Sequence, residues 1–111
     1  MTPYAIERHD QQVLVTVAGD LTAPLIPDLQ GALKSALEPG TKEVQFDLQD
    51  AVMLDSSGIG LLIAAANSLA RTGGKIRVSN VTTNIFKMLR SMRLSDRLNV
   101  TERPGQENSR G

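Results

Sequence analysis

Residues 52–74 constrain the fold of this chain more than any other stretch, because an apolar run passes there through a polar corner into an apolar helix. The corner is Asp55-Ser56-Ser57-Gly58, and both Asp and Ser are suited to cap a helix. Beyond it, apolar residues recur at three- and four-residue spacings, which predicts a helix with one face in the core. That face comprises Ile59, Leu62, Ile63, Ala66, Leu69 and Ala70. Gly73-Gly74 favours an end to the helix, since a left-handed residue commonly follows the last turn.

Strand patterns precede and follow this helix. Residues 12–18, 44–48 and 75–78 are rich in β-branched and other apolar residues, and they predict three strands. A shorter segment at 4–8 predicts an edge strand, and its short link to 12–18 favours an antiparallel hairpin. A last short strand is expected around 98–101.

Two further helices are predicted. The first covers 21–37, with Thr22 as its cap and regular helix from near Pro27, because proline lacks the N–H that an inner turn needs. The second begins at Thr82 or Thr83, and its inner face comprises Ile85, Met88, Leu89 and Met92. Strands that alternate with helices predict an α/β fold with a mixed sheet, opened by the N-terminal hairpin, and with helices packed against it.

The composition excludes several classes of protein. The 111 residues fit one domain, expected over 1–101, and the polar residues 102–111 are expected to form a disordered tail. Twelve basic residues balance twelve acidic ones, which argues against nonspecific nucleic-acid binding. The absence of cysteine excludes disulfides and thiolate metal sites. The chain starts without a signal-peptide pattern and its longest apolar run, 59–66, is too short for a bilayer, so we expect a cytoplasmic protein without membrane insertion.

The two serines of the corner allow two interpretations. They can cap the helix, which is the commoner role of serine in such a position. Alternatively, one of them accepts a phosphoryl group, because a helix N-terminus presents unpaired N–H donors and a partial positive charge. Ser56 and Ser57 taken alone favour the capping interpretation.

The sequence does not assemble a catalytic, metal or cofactor site. Asp47, Asp50 and Asp55 lie close together in the sequence, but no further oxygen ligands for a metal accompany them. Ser57 lacks the glycine-flanked setting of a hydrolase nucleophile, and the single histidine, His9, lies in a distant polar segment. We therefore expect a protein that is not an enzyme and that needs no cofactor.

Some residues of the central helix bear on partner binding. Gly58 and Gly60 lack the lysine and the spacing of a phosphate-binding loop, and we expect them to thin the first helical turn and open its backbone to a partner. Leu61, Ala64 and Ala65 lie off the predicted core face. Either they form a docking patch or a neighbouring element buries them, and the sequence favours neither.

The corner and the start of its helix, Asp55-Ser56-Ser57-Gly58-Ile59-Gly60-Leu61, resemble the phosphorylation motif of STAS-domain anti-sigma factor antagonists. The strand at Phe46-Asp47-Leu48 and the Met53-Leu54 pair precede the motif, as in the family. Gly19-Asp20-Leu21 is similar to the family's Gly-Glu-Leu turn, and the order of elements fits over nearly the whole chain. The resemblance implies a single STAS-like domain.

The resemblance also implies a partner switch. In this family the unphosphorylated antagonist binds an anti-sigma factor, which is also a serine kinase with a histidine-kinase-type ATPase fold, and a sigma factor is released. The kinase phosphorylates the first serine of the motif, here Ser56, and a PP2C-type phosphatase restores it. Residues 55–61 would contact the partner together with Asp20 and Thr22. Thr22 stands where members often carry Asp, so it retains a capping oxygen but loses a charge.

The same fold allows a second function. A STAS adaptor subunit of a lipid-transport ABC system needs no phosphoserine and is not an enzyme. The intact Asp55-Ser56-Ser57-Gly58 corner favours the switch over this adaptor.

Overall fold

A computed structural model describes residues 3–104 of the chain. Five strands lie in one sheet in their order along the chain: β1 (Tyr4–His9), β2 (Gln12–Val17), β3 (Glu43–Asp47), β4 (Lys75–Val81) and β5 (Val100–Glu102). Three helices connect the last four strands: α1 (Ile26–Ala36), α2 (Ser56–Ala70) and α3 (Thr83–Ser91). A 3-10 turn at Ala23–Leu25 precedes α1.

The sheet is mixed, which confirms the predicted fold class. β1 and β2 form an antiparallel hairpin with Tyr4 opposite Val17 and His9 opposite Gln12. β2, β3, β4 and β5 run parallel to one another, so each of their connections must cross over the sheet, and each carries a helix. The carboxyl ends of four strands therefore lie at one edge, where the connecting loops can meet.

One face of the sheet carries the core. Side chains alternate along β2 and β3, and the inward set is Val13, Val15, Val17, Val44 and Phe46, all at most 1% exposed. The helices contribute Leu29, Leu33, Leu62, Leu69, Ile85 and Leu89 to the same cluster. The opposite face is more polar, and neighbouring positions across it are Leu14, Gln45 and Arg77. Burial of one face fixes the register, because a one-residue slip would turn the apolar set outward.

Several elements differ from their predicted bounds. In the segment predicted as helix from residue 21, regular helix begins only at Ile26, close to Pro27 as predicted, and Ala23–Leu25 form a 3-10 turn instead. β4 continues beyond Val78 to Val81, whose side chain is fully buried. At the end of α3, Met92 is 47% exposed instead of facing the core, since the helix has already ended at Ser91.

The end of the domain also lies later than predicted. Glu102 belongs to β5, and the N–H of Arg103 donates to the carbonyl oxygen of Val81 at 2.8 Å. These two residues are thus part of the sheet edge and not of a tail. Residues 105–111, the greater part of the predicted disordered tail, lie outside the described residues.

Candidate functional site

Two loops meet at the carboxyl edge of the sheet, where the predicted motif lies. One follows β2, and the other leads from β3 into α2. Leu21 and Leu54 join them through an isolated parallel bridge. The N–H of Leu21 donates to the carbonyl oxygen of Met53 at 3.2 Å, and the N–H of Asp55 donates to that of Leu21 at 3.4 Å. The backbones of the two loops therefore form one unit at the start of α2.

Asp20 adds a side-chain connection between these loops. Its Oδ1 accepts hydrogen bonds from the N–H groups of Val52 at 2.9 Å and Met53 at 3.0 Å. Gly19 precedes it with φ of 133°, a conformation that residues with a side chain rarely adopt. Asp20 thus holds the loop before α2, and its predicted contact with a partner remains a prediction.

The carboxylate of Asp55 caps two segments at once. Its Oδ1 accepts from the N–H of Gly58 at 2.9 Å, which caps α2, and its Oδ2 accepts from the N–H of Ala23 at 2.9 Å. The hydrogen bonds from Gly58 and then from Ala23 lower the pKa of Asp55, because they stabilise its charged form. Thr22 was predicted to cap the helix that follows it, and this is wrong: its side chain makes no capping hydrogen bond. Asp55 takes the N–H at the start of that turn instead.

The serines of the corner are not the helix cap. Because Asp55 supplies the capping oxygen, the capping interpretation of Ser56 and Ser57 is wrong. Ser56 is the first residue of α2 and is exposed, whereas Ser57 is half-buried. Ser56 thus lies at a helix N-terminus, is exposed to solvent and does not cap the helix.

The two glycines of the motif differ in environment. Gly58 is buried, and a Cβ at this position would overlap the carbonyl oxygen of Leu21 and lie 2.8 Å from Cδ1 of Leu54. The prediction that Gly58 opens the helix to a partner is therefore wrong, since it permits the close approach of α2 to the bridge between the loops. Gly60 is exposed, and a Cβ there would meet no atom within 4 Å. Only Gly60 has the open backbone that the sequence predicted for both.

The apolar side chains of α2 are used for packing on two sides. Ile59 is buried as predicted, but so are Leu61 and Ala65, which are each 5% exposed. They line a shallow groove together with Leu33 of α1 and Leu37, the residue that follows α1. Of the two interpretations of the predicted outer patch, burial by a neighbouring element is thus the one that holds for these two residues. Ala64 remains exposed, and Ala70, predicted in the core, is also exposed.

Two exposed apolar residues stand immediately before the motif. Val52 is 70% exposed and Met53 is 58% exposed, although Ala51 and Leu54 on either side are buried. Their backbone N–H groups are the ones that Asp20 accepts, so their side chains project from a loop that is held in place. In the sequence they belong to one apolar run leading into the helix, so nothing in the pattern separates these outward residues from the buried ones. Val52 and Met53 are called the loop tip below.

Three further residues considered in the sequence are Asp47, Asp50 and His9. Asp47 Oδ1 accepts from the N–H of Gln49 at 3.1 Å and from Nδ2 of Asn80 at 3.0 Å. Asp50 is exposed, and His9 lies at the exposed end of β1. Over residues 3–104, no three His, Cys, Asp or Glu side chains are grouped so that they could hold a metal ion. In the same range, no helix combines the length and the hydrophobicity needed to cross a bilayer.

Comparison with known proteins agrees with this arrangement. The family model described as "Mlab, STAS domain" matches residues 4–101. The chain belongs to the STAS domain family. The "Anti-sigma-B factor antagonist" of Staphylococcus aureus (strain NCTC 8325 / PS 47) is 25% identical to it over 94 residues, which cover 85% of this chain and 87% of the relative.

Solved structures place this STAS domain in the same fold. The anti-sigma factor antagonist SpoIIAA in its unphosphorylated form is similar with a TM-score of 0.77 at 15% identity, over 96% of this chain and 92% of SpoIIAA. The Bacillus cell fate determinant SpoIIAA in its phosphorylated form gives a TM-score of 0.73 at 16% identity, over 96% of both chains. The predicted resemblance to STAS-domain proteins is thereby confirmed.

Proposed function

We propose that this STAS domain is an anti-sigma factor antagonist that switches partners through the phosphorylation of Ser56. In its unphosphorylated form it binds an anti-sigma factor that is also a serine kinase of the histidine-kinase ATPase type, and the sigma factor or another target is released. The kinase then phosphorylates Ser56, which blocks binding, and a PP2C-type phosphatase reverses the modification. The chain itself is not an enzyme and needs no cofactor in this scheme.

The observation that carries the proposal is the position of Ser56. It is exposed at the first position of α2, and it does not cap the helix because Asp55 supplies the capping oxygen. A helix N-terminus tolerates an added anion well, so a phosphate can be accepted there without unfolding the helix. The similarity to curated anti-sigma-B factor antagonists and to a structure of phosphorylated SpoIIAA supports the same assignment.

The surroundings of Ser56 explain why a phosphate would weaken binding. A phosphoserine carries nearly two negative charges at neutral pH. It would directly follow the acidic Asp55 in the chain and come shortly after Val52 and Met53, the exposed apolar residues best suited to contact a partner. Docking of that surface would then have to desolvate a doubly charged group, which is costly without new partners. The phosphate therefore acts at the interface, while the core beneath it stays as it is.

Ser56 and its neighbour Ser57 permit a direct test. Tandem mass spectrometry on protein purified from its own host should find a phosphoryl group on Ser56 that is absent from Ser56→Ala. The anti-sigma factor should bind Ser56→Ala as tightly as unphosphorylated wild type and Ser56→Asp about tenfold or more weakly, which corresponds to ~1.4 kcal/mol. Ser57→Asp is the matched control, since it adds the same charge one residue away, at a half-buried position. Phosphate on Ser57 would move the site by one residue, and equal binding of Ser56→Ala and Ser56→Asp would contradict the switch.

A STAS adaptor without a phosphoserine is the second candidate. It is favoured by the description of the matched family, "Mlab, STAS domain", which does not name an antagonist. An adaptor subunit of a lipid-transport ABC system would remain bound to its partner whatever the state of Ser56. Absence of phosphate under every growth condition, with unchanged partner binding by Ser56→Asp, would favour the adaptor.

A further inference from the structure

Arg103, beyond the last strand, reaches across the sheet edge to the loop between β3 and α2. Its backbone N–H continues the pairing with β4, and its Nε donates to the carbonyl oxygen of Asn80 at 3.3 Å. Its Nη2 donates to three carbonyl oxygens of the loop, those of Leu48 at 3.4 Å, Ala51 at 3.3 Å and Gln49. The side chain is half-buried, so the guanidinium joins four carbonyl groups from two segments of the chain.

These carbonyls come directly before the loop tip. The N–H groups of Val52 and Met53, which follow Ala51, are held by the Asp20 carboxylate. Arg103 therefore binds carbonyl groups of the loop, and Asp20 binds N–H groups of the same loop. A guanidinium also links the loop to the end of β4, because its planar fork lets Nη2 donate to the loop while Nε donates to Asn80.

We propose that Arg103 is the positioning residue of the loop tip: by fixing the carbonyls of Leu48, Gln49 and Ala51 it keeps Val52 and Met53 in the orientation that a partner binds. The inference rests on the proposed function for the identity of that partner, but the restraint on the loop is independent of it. Holding a binding loop in its bound conformation before the partner arrives reduces the ordering that association requires. Arg103→Ala should thus release the loop and weaken binding without any direct contact between Arg103 and the partner.

Amide hydrogen exchange tests the restraint. The N–H groups of Ala51, Val52 and Met53 are all hydrogen-bonded in the structure, so their exchange reports opening of the loop. In Arg103→Ala we expect these three amides to exchange roughly tenfold faster or more, with the amides of β2 and β3 unchanged. Arg90→Ala is the matched control, because it removes the same charge from an exposed position on α3. Asp20→Ala is the positive control, since it removes the acceptor of two of the probes.

The result separates a local restraint from a general loss of stability. A uniform rise in exchange over β2, β3 and the loop would show that Arg103 only stabilises the fold, and it would overturn the proposal. Unchanged exchange at Ala51, Val52 and Met53 would overturn it as well.

Binding tests the consequence for the partner. The anti-sigma factor that binds wild type should bind Arg103→Ala about tenfold more weakly, and Arg90→Ala within about twofold of wild type. Faster loop exchange with unchanged affinity would overturn the positioning role while the proposed function, tested by Ser56→Asp, would still stand. If no anti-sigma factor binds wild type at all, the proposed function fails and the exchange data still decide whether Arg103 holds the loop.

Discussion

Asp55 connects the two loops of the site through one carboxylate. Each of its oxygens accepts one N–H group, from Gly58 on one side and from Ala23 on the other. The sequence predicted a cap at this corner, but Asp and Ser are both common N-cap residues. Only the structure shows which side-chain oxygen accepts the N–H group of the helix. Because Asp55 caps the helix, the hydroxyl of Ser56 is not needed for capping and is available for the proposed phosphorylation.

The two hydrogen bonds make stability depend on pH in a defined direction. They lower the pKa of Asp55 in the folded state, so its contribution is fully present above its ordinary pKa of 3.8 and is lost as the pH falls through the lower folded value. Asp55→Asn should therefore be less stable than wild type at pH 7, and the difference should shrink below about pH 4. Urea unfolding midpoints at pH 7, 5 and 3 measure it. Asp50→Asn, a charge change in the same exposed loop, is the control, and a difference between Asp55→Asn and wild type that is constant with pH would contradict the prediction.

At the scale of the element, α2 approaches the bridge between Leu21 and Leu54 through Gly58. A side chain there must displace either a backbone carbonyl or the packed Leu54. Gly58→Ala should therefore lower the free energy of unfolding by about 1–3 kcal/mol, in the range of overpacked cores. Gly60→Ala, two residues along the same helix, meets no atom and should raise it by about 0.5–1 kcal/mol, since alanine favours helix over glycine. Chemical denaturation of both variants tests this, and a stabilised Gly58→Ala would show that the helix does not lie so close.

The same helix shows what the sequence can and cannot predict. Periodicity identified α2 and placed Ile59, Leu62 and Leu69 in the core, because a helix on a sheet buries one regular stripe. It left open whether Leu61 and Ala65 are buried, since a stripe predicts contact with one layer and α2 also packs beside α1. The alternation of β2 and β3 predicted the sheet for the same physical reason, as their inward side chains are apolar.

Hydrophobic periodicity cannot predict hydrogen bonds between a side chain and the backbone of a distant segment. Arg103 was assigned to a disordered tail because its segment has no apolar anchor, yet it is held by carbonyl groups, which leave no trace in the sequence. The outward direction of Val52 and Met53 was equally hidden, because Asp20 fixes their backbone from a distant loop. Contacts of this kind depend on which loops the topology brings together, and that is known only once the strand order is known.

At the scale of the whole molecule, the exposed large apolar side chains of residues 3–104 lie at two separate places. Val52 and Met53 lie in the loop that leads from the carboxyl end of β3 to Ser56, whereas Met92 follows α3, which leads the chain back from that edge toward the start of β5. A single exposed methionine is ordinary in a folded protein, whereas Val52 and Met53 are two exposed apolar residues that lie close in the chain to the proposed phosphorylation site. The two places therefore offer a comparison within one chain between an apolar residue with a proposed binding role and one for which no such role is proposed.

Met53→Glu and Met92→Glu make this comparison with the same substitution. Each places a charge at a position that is already about half exposed, 58% for Met53 and 47% for Met92, so each should change the free energy of unfolding by only about 0.5 kcal/mol or less. Binding to the anti-sigma factor, measured by calorimetric titration, should fall about tenfold or more for Met53→Glu and stay within about twofold for Met92→Glu. Equal losses for the two variants would mean that net charge and not position matters. No loss for Met53→Glu, in protein whose binding is still abolished by Ser56→Asp, would mean that the partner contacts the serine without contacting Met53, and that its surface lies toward the exposed face of α2 at Gly60 and Ala64.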